Sequence, residues 1–241
     1  IIQQYKNIEI YSPVDDGLEL SPLQNFLNWC NTVGLVLSDK PLSLAGVCER
    51  HRGGEVLFTI PRSALLHQGT TQISALLERE KRTLQSSSGW VPLLLTLLYE
   101  YTSTQSHWKP YLSLWTDFRK LDHPMFWSKE ERDRLLRGTG IPEAVDRDLT
   151  NIQREYTDVV LPFITKHPDL WNPQVHTLER YTQLVAFVMA YRSGRRDPEP
   201  PMMVPMADML NHISNHNANL EFTPVGKHPT HHHQQLQHTN T

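Results

Sequence analysis

Val204-Pro205-Met206-Ala207-Asp208-Met209-Leu210-Asn211-His212 is the most informative stretch of the sequence. It joins an apolar run, Met202–Met206, to the spacing Asp-x-x-Asn-His. On its own this spacing is a weak signal, because an Asn-His pair also caps turns or lies hydrogen-bonded inside a core. Its meaning therefore depends on what surrounds it in the chain.

The region before this stretch is helical in character from about residue 70 to residue 193, and it ends in a polar, proline-rich segment, 192–201, which predicts an exposed loop. The clearest helix follows Ile141-Pro142, and Pro162 is expected to kink or end it. Its apolar residues recur every three or four positions, which marks one buried face. They are Val145, Leu149, Ile152, Tyr156, Val159 and Phe163.

Four further helices are predicted in this region. One begins at Ile73, and a strongly apolar one covers Val91–Tyr101. Ser128 and Glu131 have capping-box spacing, which predicts a helix start. The last helix has a buried stripe formed by Leu178, Tyr181, Val185 and Val188.

The first part of the chain predicts one helix and one strand. Ser21-Pro22 is an N-cap followed by proline at the first helical position, and Gly34 fits a helix end. Glu55–Ile60 alternates like a short strand. The last residues, 223–241, have no apolar period and predict a disordered, histidine-rich tail. His231-His232-His233 could hold a metal loosely, but an exposed disordered tract is favoured.

Composition limits the protein class. With 241 residues, 23 Lys+Arg, 26 Asp+Glu and a net charge of −3, the chain has no basic excess that would indicate nucleic-acid binding. No apolar run reaches the roughly 18–20 residues that span a bilayer. Cys30 and Cys48 are the only cysteines, which favours a reduced intracellular protein over a disulfide and excludes a cysteine-rich zinc site. Residues 1–6 show neither an initiator Met nor a signal-peptide pattern, so we expect the start to be missing.

The motif and its surroundings resemble SET-domain proteins related to the Rubisco lysine methyltransferase. The resemblance covers about residues 18–222 and is specific in order and spacing. The matching stretches are Phe26-Leu27-x-Trp29, Gly54–Arg62, Ser88–Leu95, Trp108-x-Pro110-Tyr111, His123–Trp127, Asn151-Ile152, Val204–His212 and Asn215–Glu221.

The resemblance implies an α+β fold, mostly α by residue count. It is a partial SET domain over 18–222, with short knotted β-strands and a long helical insertion at about 70–193. A second, substrate-binding helical domain normally follows in this family and is expected to be absent here.

The resemblance also implies an activity. Such enzymes transfer a methyl group from S-adenosylmethionine to the ε-amine of a protein lysine. Expected substrates are non-histone nuclear proteins such as RelA-like transcription factors, and histone tails. The expected setting is the nucleus and NF-κB signalling, with no metal, no direct contact with nucleic acid and no membrane.

Five residues are implied to bind the cofactor. Asn211 would hold its aminoacyl part, and His212 would present its backbone to the adenine. Ala45 and Gly46 match the start of a family turn whose glycines let the backbone approach the cofactor. Tyr191 stands where the family contacts the cofactor, and packing at a helix end is the less favoured interpretation.

Two residues are implied to face the lysine substrate. Trp90 stands at such a position, and a core aromatic at a helix start is an equally good interpretation. Gln183 stands at another, and an exposed helix residue is the slightly favoured interpretation.

The sequence departs from the family in two places. The second glycine of the turn is replaced by Cys48. No Asn-x-Tyr-Gly segment follows the Asn-His motif, and no tyrosine occurs after Tyr191, so no catalytic residue is assigned. We therefore expect a truncated or alternative form of such an enzyme. The alternative hypothesis is a catalytically inactive form that acts as a protein-binding fragment.

Overall fold

The structure is a computed structural model that describes residues 21–37, 56–115, 123–191, 201–209, 218–222 and 233–238. The chain forms two compact units. Unit 1 contains residues 1–66, 110–115 and 203–241, and unit 2 contains residues 67–109 and 116–202. Helices dominate, and one small antiparallel sheet accompanies them, so the predicted α+β class is confirmed.

Helix α1, Pro22–Thr32, opens unit 1 as the sequence predicts. Its N-cap Ser21 and Gln24 form a reciprocal capping box, with bonds of 3.2 and 3.0 Å between side chain and backbone nitrogen. Gly34 follows the helix with a φ of +76°, a left-handed conformation that glycine adopts without a steric penalty. The helix turns Phe26 and Cys30 fully into the core.

The sheet of unit 1 has the strands β1, Val36–Leu37; β2, Val56–Pro61; β3, Ala218–Phe222; and β4, His233–His238. Their order across the sheet is β1-β2-β4-β3, so both β2 and β4 have a partner on each side. Every neighbouring pair is antiparallel.

A bulge between Val56 and Phe58 makes β2 less regular than the sequence predicts. Strict alternation would place Leu57 and Phe58 on opposite faces, yet both are buried, and Val56 is exposed. A bulge inserts one extra residue and locally breaks the alternation of side chains. The strand itself lies within one residue of the predicted Glu55–Ile60.

Strand β4 contradicts the prediction of a disordered tail for residues 233–238. These residues lie between β2 and β3, with Leu236 opposite Phe58 on one side and Leu220 on the other. Backbone hydrogen bonds to two strands stabilise a segment that has no apolar period of its own. The other residues of the predicted tail, His231 and His232 included, lie outside the described residues.

The helices of unit 2 agree in type with the predictions. Trp90 occupies the N-cap position of the helix that begins at Val91, without a capping hydrogen bond from its side chain. Ser128 and Glu131 form the predicted capping box before the helix that begins at Lys129. The helices are α2, Ser74–Arg79; α3, Val91–Thr102; α5, Lys129–Leu135; α6, Ile141–Glu155; α7, Leu161–Lys166; and α8, Leu178–Tyr191, while the short α4, Lys109–Leu112, precedes α5 in the chain.

Helices α6 and α7 are joined by a π-helical turn, Tyr156–Val160, which changes the predicted buried face. The extra residue of this turn rotates the helix, so Val160 is fully buried and Val159 only half-buried. The Leu161 amide donates to the Tyr156 carbonyl five residues back. The wide turn stands directly before Pro162, and the helix continues through this proline to Lys166 instead of ending there.

Helices α3 and α8 pack against each other and form much of the core of unit 2. Five consecutive residues of α8, Leu184–Val188, are buried. Helix α3 also buries Glu100, whose carboxylate accepts hydrogen bonds from the hydroxyls of Thr71 and Ser106 at 2.5 and 2.6 Å. These hydrogen bonds satisfy a buried polar group that would otherwise destabilise the core.

Candidate cofactor and substrate sites

The segment 201–209 precedes the Asn-His motif in the chain. Met203 forms an isolated antiparallel bridge with Leu66, with N–O distances of 2.9 and 3.1 Å, instead of a continuous strand. Met206 then has a φ of +76°, which is uncommon for a residue other than glycine. A single 3₁₀ turn, Ala207–Met209, follows. The backbone is therefore sharply folded just before Asn211.

Asp208 directs its carboxyl group into the interior at this turn. The Tyr111 hydroxyl donates a short hydrogen bond to its Oδ2 atom. The Oδ1 atom is buried and has no hydrogen-bond partner among the described residues. Burial raises the pKa of the carboxyl to about 7, although the Tyr111 hydrogen bond opposes the rise. Asp208 can therefore hold a proton near neutral pH.

An aromatic cluster of Phe26, Trp29, Tyr111 and Trp115 includes the tyrosine that donates to Asp208. Ring centroids lie 5.8 Å apart for Phe26 and Trp29, 6.4 Å for Trp29 and Tyr111, and 5.2 Å for Tyr111 and Trp115. Three of the stretches that carry the family resemblance thus meet in unit 1, through Phe26 and Trp29, Tyr111, and Asp208. Their long sequence separation explains why spacing alone does not identify this contact.

Cys30 is buried in the core of unit 1 near Asp208, and its thiol is unreactive. Burial raises the pKa of its thiol to about 12, and the negative charge of Asp208 adds to the rise. A thiol with such a pKa carries almost no thiolate at neutral pH, so Cys30 is a packing residue and not a nucleophile.

Of the five predicted cofactor residues, the structure describes only Tyr191. Ala45, Gly46, Asn211 and His212 lie outside the described residues, and their roles stay predictions. Tyr191 is the last residue of α8, and only its backbone is described.

A cleft in unit 2 contains one of the two predicted substrate residues, Trp90. The volume of the cleft is about 280 Å³. Gly89, with a φ of +68°, turns the chain into Trp90, whose amide donates to the Ser88 hydroxyl at 3.0 Å. The lining residues are Ser87, Ser88, Trp90, Asp148, Asn151, Ile152, Glu155, Val185 and Met189.

Two hydroxyl groups hold Glu155 at this cleft. Ser88 donates to its Oε2 atom and Tyr181 to its Oε1 atom, each at 2.6 Å. Burial, and then the charge of Glu155, raises the pKa of the Tyr181 hydroxyl well above its usual range, so this group remains a donor. The sequence identified neither Glu155 nor Asp148 as a functional residue, although Asn151-Ile152 between them belongs to a matching stretch.

Gln183, the other predicted substrate residue, does not line this cleft. It lies half-buried on α8, and its Nε2 atom is 3.5 Å from the Glu179 carboxylate. Its Oε1 atom is buried without a hydrogen-bond partner among the described residues. Val185 and Met189 line the cleft from the same helix, and at 100° per residue they project from a different side than Gln183.

Metal and membrane sites were sought in the part of the chain that the structure describes. No group of three histidine, cysteine, aspartate or glutamate residues there could hold a metal ion. No helix within the same residues has the length and hydropathy to cross a membrane.

Sequence comparisons identify several similar proteins. A protein from Salmo salar named N-lysine methyltransferase setd6 is 64% identical over 221 residues, which are 84% of this chain and 49% of that protein. The protein of that name from Danio rerio is 59% identical over 232 residues, 87% of this chain and 50% of the relative. N-lysine methyltransferase SETD6 from Homo sapiens is 46% identical over 261 residues, 91% of this chain and 55% of the relative.

The chain therefore spans about half the length of the curated relatives it matches. No protein-family model matches it.

Comparison with solved structures shows the SET-domain fold. The SET domain of LSMT bound to lysine and AdoHcy superposes with a TM-score of 0.67 and 16% identity, over 90% of this chain and 50% of that one. Rubisco LSMT bound to AdoMet superposes with a TM-score of 0.57 and 18% identity, over 81% of this chain and 46% of the other. At these identities the likeness shows the fold, and the predicted partial SET fold is confirmed.

Proposed function

The chain belongs to the SETD6 family of N-lysine methyltransferases, and on this premise we propose that it transfers a methyl group from S-adenosylmethionine to a lysine ε-amine of a protein. The observation that carries the proposal is 64% identity to a relative of that name over 84% of this chain. The buried contact of three matching stretches around Asp208 supports it.

The described residues before Asn211 fit a cofactor-binding segment. Asp208 offers a buried acceptor atom without a partner among the described residues, and the positive φ of Met206 folds the backbone tightly. Such a segment suits the proposed roles of Asn211 and His212, the first toward the aminoacyl part and the second toward the adenine. S-adenosylmethionine, when bound, supplies a methyl group on a sulfonium centre.

The lysine must reach the reaction as a neutral amine, because its lone pair forms the new N–C bond. A free lysine has a pKa near 10.4, and apolar surroundings lower it by disfavouring the ammonium. Alignment of the nitrogen with the methyl carbon supplies roughly 7–11 kcal/mol of the acceleration. The protein's task is to desolvate and orient this amine.

A methyl-transfer assay tests the proposal. The chain is incubated with radiolabelled cofactor and a mixture of lysine-containing proteins, in parallel with a full-length relative. We expect labelled protein with both. Transfer by the relative and none by this chain would refute the activity of this chain.

We further propose RelA-like transcription factors and histone tails as substrates, in the nucleus and in NF-κB signalling. The support is the resemblance of the matching stretches alone. Transfer to a RelA-like protein and to histones, each compared with its lysine-to-arginine variant, tests the substrates. Microscopy of the tagged chain tests the location.

A second candidate function is a catalytically inactive, protein-binding form. Cys48 in place of the family's second turn glycine favours it, because a side chain there obstructs the approach of backbone to cofactor. Calorimetry with S-adenosylmethionine separates the two functions. Micromolar binding would contradict the inactive form.

A further inference from the structure

The cleft in unit 2 combines one charged face with one apolar face. Asp148, Asn151, Ile152 and Glu155 line it from α6, at the spacing i, i+3, i+4 and i+7 that places residues on one side of a helix. The other face contains Trp90, with Val185 and Met189 from α8. Its volume of about 280 Å³ lies at the lower limit for ligand pockets and is suited to one long side chain.

Glu155 places a carboxylate at this cleft. The Ser88 and Tyr181 hydroxyls each donate a hydrogen bond to one of its two oxygen atoms. They also fix its orientation, so a ligand meets a carboxylate that is already in place.

Asp148 places a second carboxylate at the cleft. No ion pair among the described residues involves Asp148 or Glu155. Asp148 acts electrostatically on His123, but burial lowers the pKa of that histidine, so its imidazole is mostly neutral at pH 7. Arg154 is exposed and donates to Asn151, where water screens its charge.

The two carboxylates, Asp148 and Glu155, would not suit the lysine amine that is methylated, but they suit a group that stays positively charged. A lysine placed beside two carboxylates would have its pKa raised, which keeps the nitrogen protonated and unreactive. A cation that need not lose its proton gains from both carboxylates and from the face of an indole ring. The guanidinium of arginine, which stays protonated and stacks on aromatic rings, suits this arrangement best.

We propose that this cleft binds a positively charged arginine or lysine side chain that flanks the methylated lysine in the protein substrate. The inference deepens the proposed function and rests on it. Trp90 then serves substrate recognition, as the resemblance implies, but at a flanking residue and not at the reacting amine.

Peptide binding without cofactor tests the inference. Labelled peptides contain one central lysine, and each flanking position in turn has arginine, lysine or glutamine. Fluorescence anisotropy measures the Kd of each peptide for the complete chain. We expect one flanking position at which arginine binds about tenfold more tightly than glutamine, as one ion pair and one cation–π contact would give.

Two charge-matched variants locate the effect. D148N should reduce the preference at that position to less than about twofold. D158N removes the same charge from an exposed residue of the π-helical turn outside the cleft and should keep it. Urea unfolding of both variants verifies that they fold like the original chain.

Three results would overturn the inference: no binding of any peptide, no flanking position that prefers a cation, or a preference that persists in D148N. The methyl-transfer assay fails or succeeds independently of these results. A chain that methylates without any flanking preference refutes this inference alone. A chain that shows the preference without methylation refutes the activity alone.

Discussion

Asp208 belongs to the Asp-x-x-Asn-His motif, but its contact in the structure is a structural one inside the core. Asn211 and His212 are implied to face the cofactor, whereas Asp208 points into the core and accepts a hydrogen bond from Tyr111. A buried carboxyl group with one unpaired oxygen destabilises the fold unless its proton or a partner compensates. The energetics of this turn therefore depend on the one described donor.

Replacing Tyr111 with phenylalanine should lower the free energy of unfolding by about 1–3 kcal/mol, because the carboxyl then lacks its donor while the ring packing remains. Urea unfolding at pH 7 measures the change. The control is Tyr99→Phe, since the Tyr99 hydroxyl donates to Gln72 at 3.3 Å near the surface, and it should change stability by less than about 0.5 kcal/mol. Equal effects of the two variants would contradict this role of Tyr111.

The raised pKa of Asp208 predicts an unusual pH dependence for an aspartate. Its folded pKa is about 7 and its ordinary value 3.8, so the folded state binds this proton more tightly. The resulting stabilisation is complete below pH 3.8 and is lost as the pH rises to about 7. Relative to D208N, the original chain should therefore lose up to about 1.4 kcal/mol of unfolding free energy per pH unit in this window.

Urea unfolding of both proteins at half-unit steps from pH 4 to pH 8 measures this difference. The amide in D208N does not titrate, so any constant offset between the proteins is irrelevant and only the slope is interpreted. Parallel pH profiles for the two proteins would contradict a raised pKa.

Among the elements, the π-helical turn between α6 and α7 has the clearest effect on packing. Helical spacing predicts that Val159 is buried, and the inserted residue buries Val160 instead. A substitution at either valine therefore distinguishes a continuous α-helix from the observed turn.

Val160→Ala should lower the free energy of unfolding by about 1.5–3 kcal/mol, because it removes two fully buried methyl groups and leaves a cavity. Val159→Ala, its neighbour with the same change in volume, should cost less than about 1 kcal/mol, since that side chain is already half exposed. Thermal unfolding of the two variants measures both. A larger loss of stability in Val159→Ala than in Val160→Ala would contradict the π-helical turn and support the regular helix that the spacing predicts.

At the scale of the whole molecule, β4 joins the last described residues of the chain to one of its first strands. Gln235 pairs with Thr59 of β2 and with Glu221 of β3. Gln235→Pro removes a backbone donor and should speed amide hydrogen exchange in β2 at least tenfold, as proline is poorly tolerated in a central strand.

Asn240→Pro is the control, because it lies beyond the end of β4 at His238. Mass-spectrometric hydrogen exchange of the peptides that cover β2 reads both variants. Indistinguishable exchange in the two variants would support the disordered tail that composition predicts.

Much of the fold follows from local rules in the sequence. The capping signals at Ser21 and Ser128 and the left-handed Gly34 identify helix ends directly, because each depends on neighbouring residues only. Local rules of this kind do not predict where a strand or helix contains an inserted residue. The bulge in β2 and the π-helical turn change the register by one residue, and β4 pairs with β2, which lies more than half the chain away.

The resemblance supplies candidate site residues, and their roles stay predictions. Trp90 is found at a cleft, whereas Gln183 is not, because the helical repeat turns it away from Val185 and Met189. Asp148 and Glu155 have no signature of their own, since carboxylates on a helix usually face water. Tyr111 and Asp208 each belong to a matching stretch, and their contact needed three-dimensional proximity to be identified.

The central position of β4 also implies an order of events during synthesis. Strand β2 emerges early from the ribosome and must wait for β4, while the helical residues of unit 2 are made in between. Helices that rely on nearby residues form quickly, and pairing across a long intervening chain is slow. We therefore expect unit 2 to reach its structure first and the sheet to close last, with the apolar side chains of β2 open to chaperones until then.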